Sequence, residues 1–190
     1  MILYRCFAWK AASAGAGQAA ADAPDGPLWF PRMFQGEGRH DNPDLYGCLY
    51  LSERPLSGVV EQLARFRGQR LLPALLLRRG LPLGLAEVEL ADTAELVDLD
   101  EPAVLRREQL RPSLVATRAR YVTQPQARAL YERHPDAAGL RWWSTLEAQW
   151  LNVTLFDRAS ATLRLVSVRA LAVDDEEVAS AADVLGLRPA

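Results

Sequence analysis

An α+β fold is predicted, and three observations predict it. Strand-like and helix-like stretches follow one another without the steady alternation of a doubly wound parallel sheet. No similarity recurs at a period of roughly 20–50 residues, so a repeat architecture is not expected. No GxGxxG or Walker-type loop is present, which removes the usual dinucleotide and nucleoside-triphosphate fingerprints. A chain of 190 residues suits one domain over 1–190 and can bury a core without metals or disulfides.

The elements follow in order. Ile2 to Ala8 reads as the first strand, with Arg5 set among apolar residues. The Ala/Gly-rich stretch after it lacks a strong apolar run and a basic leader. Residues 11–27 therefore read as a flexible insertion and not as a signal peptide. Leu28 to Phe34 is rich in aromatics, and Gly36 and Gly38 open a turn. Leu45 to Ser52, entered through Asn42-Pro43-Asp44, is a strand. Pro55 then introduces a helix that runs to about Arg67 and is closed by Gly68. Leu71 to Arg78, Ala86 to Leu90 and Glu95 to Leu99 read as strands, Pro102 to Leu110 and Pro125 to His134 as helices. Gly139 to Trp143, Trp150 to Phe156 and Leu163 to Val173 are further strands. Within the C-terminal stretch 174–190, Asp174-Asp175-Glu176-Glu177 suits the first turn of a last helix, where carboxylates complement the helix dipole.

Composition narrows the function classes. The chain is 49% hydrophobic and 24% charged, as globular proteins are. A net charge of −2 argues against a protein that coats nucleic acid. The 22 Lys and Arg are nearly all arginine, which favours planar, bidentate contacts to carboxylates or phosphates, although genomic composition gives the same bias. With two histidines and no clustered ligands, no metal site is expected. Cys6 and Cys48 lie in apolar strand-like runs and read as buried reduced thiols, while spacing alone leaves a bridge between them open. No apolar run approaches the roughly 18 residues that span a membrane. A cytoplasmic protein is expected.

Arg39, Tyr50 and Glu61 stand eleven residues apart in turn, and Ser144 ends GLRWWS. Leu56, Val59, Val60, Leu63 and Phe66 gather on one face of the Pro55–Arg67 helix, and Glu61 falls nearly opposite. Its ordinary reading is a solvated glutamate paired with Arg65; its functional reading needs a cleft on that side. Arg39 follows two glycines, so its side chain reads as displayed rather than packed. Arg5, inside a strand, must face solvent, meet a carboxylate or hold an anion, and edge exposure is the simplest of these. Tyr50 reads as a buried tyrosine with a satisfied hydroxyl, Ser144 as a turn or cap residue. A Ser/His/Asp hydrolase finds no GxSxG elbow here, and neither histidine has a clear partner.

Together these residues resemble the RES-domain family, named for its Arg, Glu and Ser. The resemblance runs from YRCF to NVTLF. The family's early arginine matches Arg5, its glycine-arginine motif Gly38-Arg39, its aromatic strand Tyr50 and its helix glutamate Glu61, while its late G-hydrophobic-R-aromatic-x-S pattern matches Gly139 to Ser144. His40 stands where the family commonly has tryptophan, and the Ala/Gly stretch lengthens the gap between Arg5 and Arg39.

The resemblance implies a single domain with a mixed, mainly antiparallel β core and flanking helices, similar to ADP-ribosyltransferase toxins. It implies NAD as substrate, no permanently bound cofactor, and inorganic phosphate as a co-substrate in phosphorolysis. It implies the toxin of a toxin–antitoxin pair, held by an Xre-like helix-turn-helix antitoxin in an assembly of unspecified stoichiometry. Glu61 is then the carboxylate facing the ribose. Arg39 and Arg5 clamp pyrophosphate or phosphate, Tyr50 stacks on nicotinamide, and Ser144 bonds its amide or a phosphate. ADP-ribosyl transfer to a protein or nucleotide, or a non-catalytic nucleotide- or partner-binding module, are the alternatives.

Overall fold

The computed structural model describes residues 1–9 and 21–188. Its strands are β1 (Ile2–Ala8), β2 (Cys48–Ser52), β3 (Leu77–Arg78), β4 (Leu81–Leu90), β5 (Leu96–Asp98), β6 (Gly139–Trp143), β7 (Leu151–Phe156) and β8 (Leu163–Ala170). Its helices are α1 (Pro55–Leu63), α2 (Pro102–Arg107), α3 (Pro112–Val115), α4 (Arg120–Arg133) and α5 (Glu176–Leu185). The hydrogen-bonded strand order is β3-β4-β1-β2-β7-β6-β5, with β8 paired to β4. β1 pairs antiparallel with β2 and β4, β3 with β4 and β6 with β7, whereas β5 and β6 are parallel. The fold is α+β, with a mixed and mainly antiparallel sheet.

The chain divides into two compact units. The first holds Met1, Phe30–Leu51 and Leu90–Leu163. Its core gathers Tyr46, Val97, Leu105, Leu130, Leu140, Trp142 and Phe156. The parallel β5–β6 pair needs a crossover, and α2, α3 and α4 supply it. Gly139 starts β6 where no side chain fits: a Cβ there would lie 2.2 Å from the Thr154 carbonyl oxygen of β7.

The second unit holds Ile2–Trp29, Ser52–Glu89 and the chain from Arg164 on. Helix α1 packs on β1 and α5, burying Ser57, Val59, Val60 and Leu63. Pro55 opens it, since the first turn has no use for its missing N–H. Asp175 is the N-cap residue of α5, Glu176 and Glu177 fill its first turn, and Gly186 closes it at φ 61°. Arg169 bonds Asp175 at 2.5 Å and Glu177 at 2.7 Å, so the acidic run serves the helix start.

Several sequence expectations need correction. The strand expected over Leu71 to Arg78 is mostly a 3-10 turn, Pro73–Leu76, because Pro73 cannot donate to a sheet ladder. The helix expected from Pro125 begins at Arg120 and carries Pro125 inside it. The helices expected to reach Arg67 and Leu110 stop at Leu63 and Arg107; the first continues as a 3-10 turn, Ala64–Phe66. Both cysteines are buried free thiols. Of the insertion expected over 11–27, residues 11–20 lie outside the described residues, and 21–27 end in a turn that packs Gly26 and Pro27. Among the described residues no helix is long and apolar enough to cross a membrane.

Candidate active site

In the first unit, Asp41 organises the loop that carries Arg39. Its buried carboxylate collects three donors: the Gly36 and Gly38 N–H groups at 2.8 and 2.7 Å, and the Tyr50 hydroxyl at 2.6 Å. The Tyr50 oxygen in turn accepts the His40 N–H at 2.9 Å. Gly38 is required here, because a Cβ would lie 2.5 Å from both Asp41 Oδ1 and the Tyr50 hydroxyl. Helix α4 grips the same loop: Thr123 donates to the Arg39 carbonyl at 2.6 Å, and Gln124 to those of Gly36 and Gly38 at 3.0 and 2.9 Å.

Arg39 itself corrects the sequence expectation of a displayed side chain. Its Nη1 donates to the Val115 carbonyl at 2.9 Å and to the Thr117 carbonyl, and its guanidinium carbon sits 4.6 Å from the centre of the Trp142 ring. The physical reason is the end of α3. The Val115 carbonyl at the helix end lacks a partner inside the helix, the Thr117 carbonyl follows two residues on, and Arg39 donates to both while its cation meets the indole face.

Beneath Arg39, Trp142 and His40 share one hydroxyl. Thr154 Oγ1 accepts from Trp142 Nε1 at 3.0 Å and bonds His40 Nδ1 at 2.8 Å. The His40 ring stands edge-on to Trp142 with centres 5.2 Å apart. Burial, and then the Arg39 charge, push His40 down to about 3, so it is neutral at pH 7. Burial first, then Cys48 and Asp41, hold the Tyr50 hydroxyl well above its usual range, which keeps it a neutral phenol. Ser144 is 2% exposed; its Oγ accepts the Leu146 N–H at 3.1 Å and its own N–H reaches the Trp150 carbonyl at 2.7 Å. It shapes the turn between β6 and β7.

Arg5 and Glu61 belong to the second unit. Arg5 is not edge-exposed as expected, because β1 lies between β4 and β2. Its Nη1 donates to the carbonyls of Pro27 at 2.5 Å and Gly26 at 3.1 Å, and its guanidinium lies 4.7 Å from the Phe7 ring centre. Burial lowers the guanidinium to about 9, still charged at neutral pH. Glu61 is exposed on α1, off the buried face of Val59, Val60 and Leu63, as the helical periodicity predicts.

The structure thus joins Arg39 and Tyr50 through the Asp41 and His40 positions, and sets Ser144 one residue beyond the strand that carries Trp142. Sequence reasoning missed Asp41, His40 and Thr154. Asp41 carried a usable signal, a carboxylate between a glycine pair and an Asn-Pro turn. Thr154 carried none, because it lies 114 residues from His40. Among the described residues no group of three or more His, Cys, Asp or Glu is arranged to hold a metal ion.

One solved structure with a similar fold is the crystal structure of the M. tuberculosis MbcT–MbcA toxin–antitoxin complex, at a TM-score of 0.58 and 16% identity, covering 97% of this chain and 88% of that one. No curated protein matches the sequence. The family model described as RES domain matches residues 3–178, and the chain belongs to that family.

Proposed function

We propose that this protein is an NAD-consuming toxin of a toxin–antitoxin pair, which cleaves the nicotinamide–ribose bond by hydrolysis or phosphorolysis. The observation that carries the reading is the immobilised Arg39: a guanidinium held by helix-end carbonyls and an indole face, on a loop whose backbone is bonded from two sides. Such a cation is already oriented before an anion arrives, and a planar fork suits pyrophosphate or phosphate oxygens. Family membership over 3–178 and the likeness to a toxin from a toxin–antitoxin complex support the biological setting.

In the proposed reaction the bond from ribose C1 to the nicotinamide nitrogen breaks, and its electron pair leaves with the ring, which becomes neutral. Positive charge then builds on the ribose as an oxocarbenium ion. Glu61 is the proposed carboxylate that stabilises this charge or orients the ribose hydroxyls. Water completes hydrolysis to ADP-ribose with release of a proton; inorganic phosphate instead gives ADP-ribose-1″-phosphate. Arg39 is the proposed phosphate clamp. Arg5 is proposed for a second such role. Tyr50 is the proposed platform for nicotinamide. Ser144, buried at its turn, is proposed to act mainly by shaping the chain after Trp143. A helix-turn-helix antitoxin of the Xre type is the proposed partner, and the cytoplasm the proposed location.

Incubation of the purified chain with NAD, with and without phosphate, tests this by product identification. ADP-ribose or ADP-ribose-1″-phosphate is the expected product, with free nicotinamide in equal amount. A modified protein in place of either would point to ADP-ribosyl transfer. Unchanged NAD would contradict the enzymatic reading.

A further inference from the structure

Asp41 is the most heavily used buried carboxylate near Arg39, yet the proposed reaction gives it no role. We propose that Asp41 is a positioning residue, which sets the direction of the Tyr50 hydroxyl and, through the same carboxylate, the loop that presents Arg39. The inference rests on the proposed function for its catalytic consequence, but its geometry stands alone.

The hydrogen-bond polarity is fully specified. Backbone N–H groups can only donate, so Oδ2 must accept from Gly36 and Gly38. The His40 N–H likewise can only donate to the Tyr50 oxygen, so the phenol proton must point to Asp41 Oδ1. A charge-assisted O–H bond of 2.6 Å is at the short, strong end of the range. Tyr50 is therefore held as an acceptor toward the loop and a donor toward the carboxylate. Its ring is fixed by its hydroxyl end as well as by its strand.

Asp41→Asn separates these functions. The amide oxygen of asparagine can still accept from Gly36 and Gly38, which preserves the loop. Its NH₂ then faces the Tyr50 oxygen, and the phenol proton loses its acceptor. Tyr50→Phe removes the same bond from the other side.

Two measurements test the proposal. The first labels the five tyrosines with ¹³C at Cζ and follows them by NMR, with Tyr50 assigned by its loss in Tyr50→Phe. In Asp41→Asn the Tyr50 resonance should move while those of Tyr4, Tyr121 and Tyr131 stay; an unmoved Tyr50 resonance overturns the lock whether or not NAD is consumed. The second compares NAD turnover in Asp41→Asn, Tyr50→Phe and the double variant. Asp41→Asn should lower kcat about tenfold, with a smaller change in KM and a melting temperature near wild type, and should add less than about twofold on top of Tyr50→Phe. Equal effects of Asp41→Asn in both backgrounds would overturn action through Tyr50. A moved resonance in a protein that leaves NAD untouched would keep the lock and reject the proposed reaction.

Discussion

The Gly36–Asp41 loop and helix α1 display a polar side chain in opposite ways. In the loop, the backbone around Arg39 is bonded from two sides: Asp41 accepts two glycine N–H groups, and Thr123 and Gln124 donate to three carbonyls. Arg39 is then seated on Trp142 and helix-end carbonyls. In α1, regular helical geometry lifts Glu61 off the buried face of Val59, Val60 and Leu63. One residue is held by a long-range polar network, the other by periodicity. The difference teaches where mutation will be felt: at Arg39 throughout the loop, and at exposed Glu61 more in the chemistry of its carboxylate than in the fold.

The largest expected effect is chemical. Glu61→Gln should reduce NAD consumption on the order of 10³-fold, since a carboxylate facing a developing cation works by charge. Because Glu61 is exposed, the unfolding free energy from urea denaturation should stay within about 0.5 kcal/mol of wild type. A large stability loss in this variant would break the contrast. Next comes Gly139→Ala, which drives a methyl group into the Thr154 backbone and should cost about 3 kcal/mol in chemical denaturation. Undiminished stability there would show that β6 and β7 yield easily, and that Trp142 is not rigidly held under Arg39.

Arg39→Ala should weaken NAD binding by roughly 10–100-fold in calorimetry, the scale of a charge-assisted contact. Unaltered affinity would remove the phosphate-clamp role. The smallest effect is a pH dependence. His40 is depressed to about 3 in the folded protein, so the unfolded chain, titrating near 6.5, binds more protons between these values. Stability is then present above about 6.5 and is lost as pH falls, by about 2 kcal/mol at pH 5. On Glu108 burial pushes upward, but the bonds from Arg107, His134 and Arg133 together hold it below its usual range, so it adds loss in the same direction at lower pH. His40→Asn should flatten the step between pH 7 and 5 in urea midpoints; an unchanged step would place its origin elsewhere.

The same contrast explains what was legible in the sequence. Glu61 could be read because its environment is local: an apolar face repeating with helical period leaves the opposite side open. Gly139–Trp143 and Leu151–Phe156 could be read for a similar reason, as short apolar runs between turn signals. Arg39 was misread as displayed because its seat comes from Val115, Thr117 and Trp142, 76 to 103 positions along the chain, and no local pattern announces them. Arg5 was misread because strand order, not strand composition, decides that β1 is flanked on both sides. Pro125 misled as a helix start: α4 begins five residues earlier and carries the ring in its interior.

The division of labour between Arg39 and Glu61 is tested most directly by measuring NAD affinity and NAD turnover on the same pair of variants. Glu61→Gln should bind NAD about as tightly as wild type and fail to consume it. Arg39→Ala should bind weakly and still turn over at saturating NAD. The reverse pattern, with binding lost at Glu61 and turnover lost at Arg39, would contradict the assignment of charge stabilisation to the helix and anion capture to the loop.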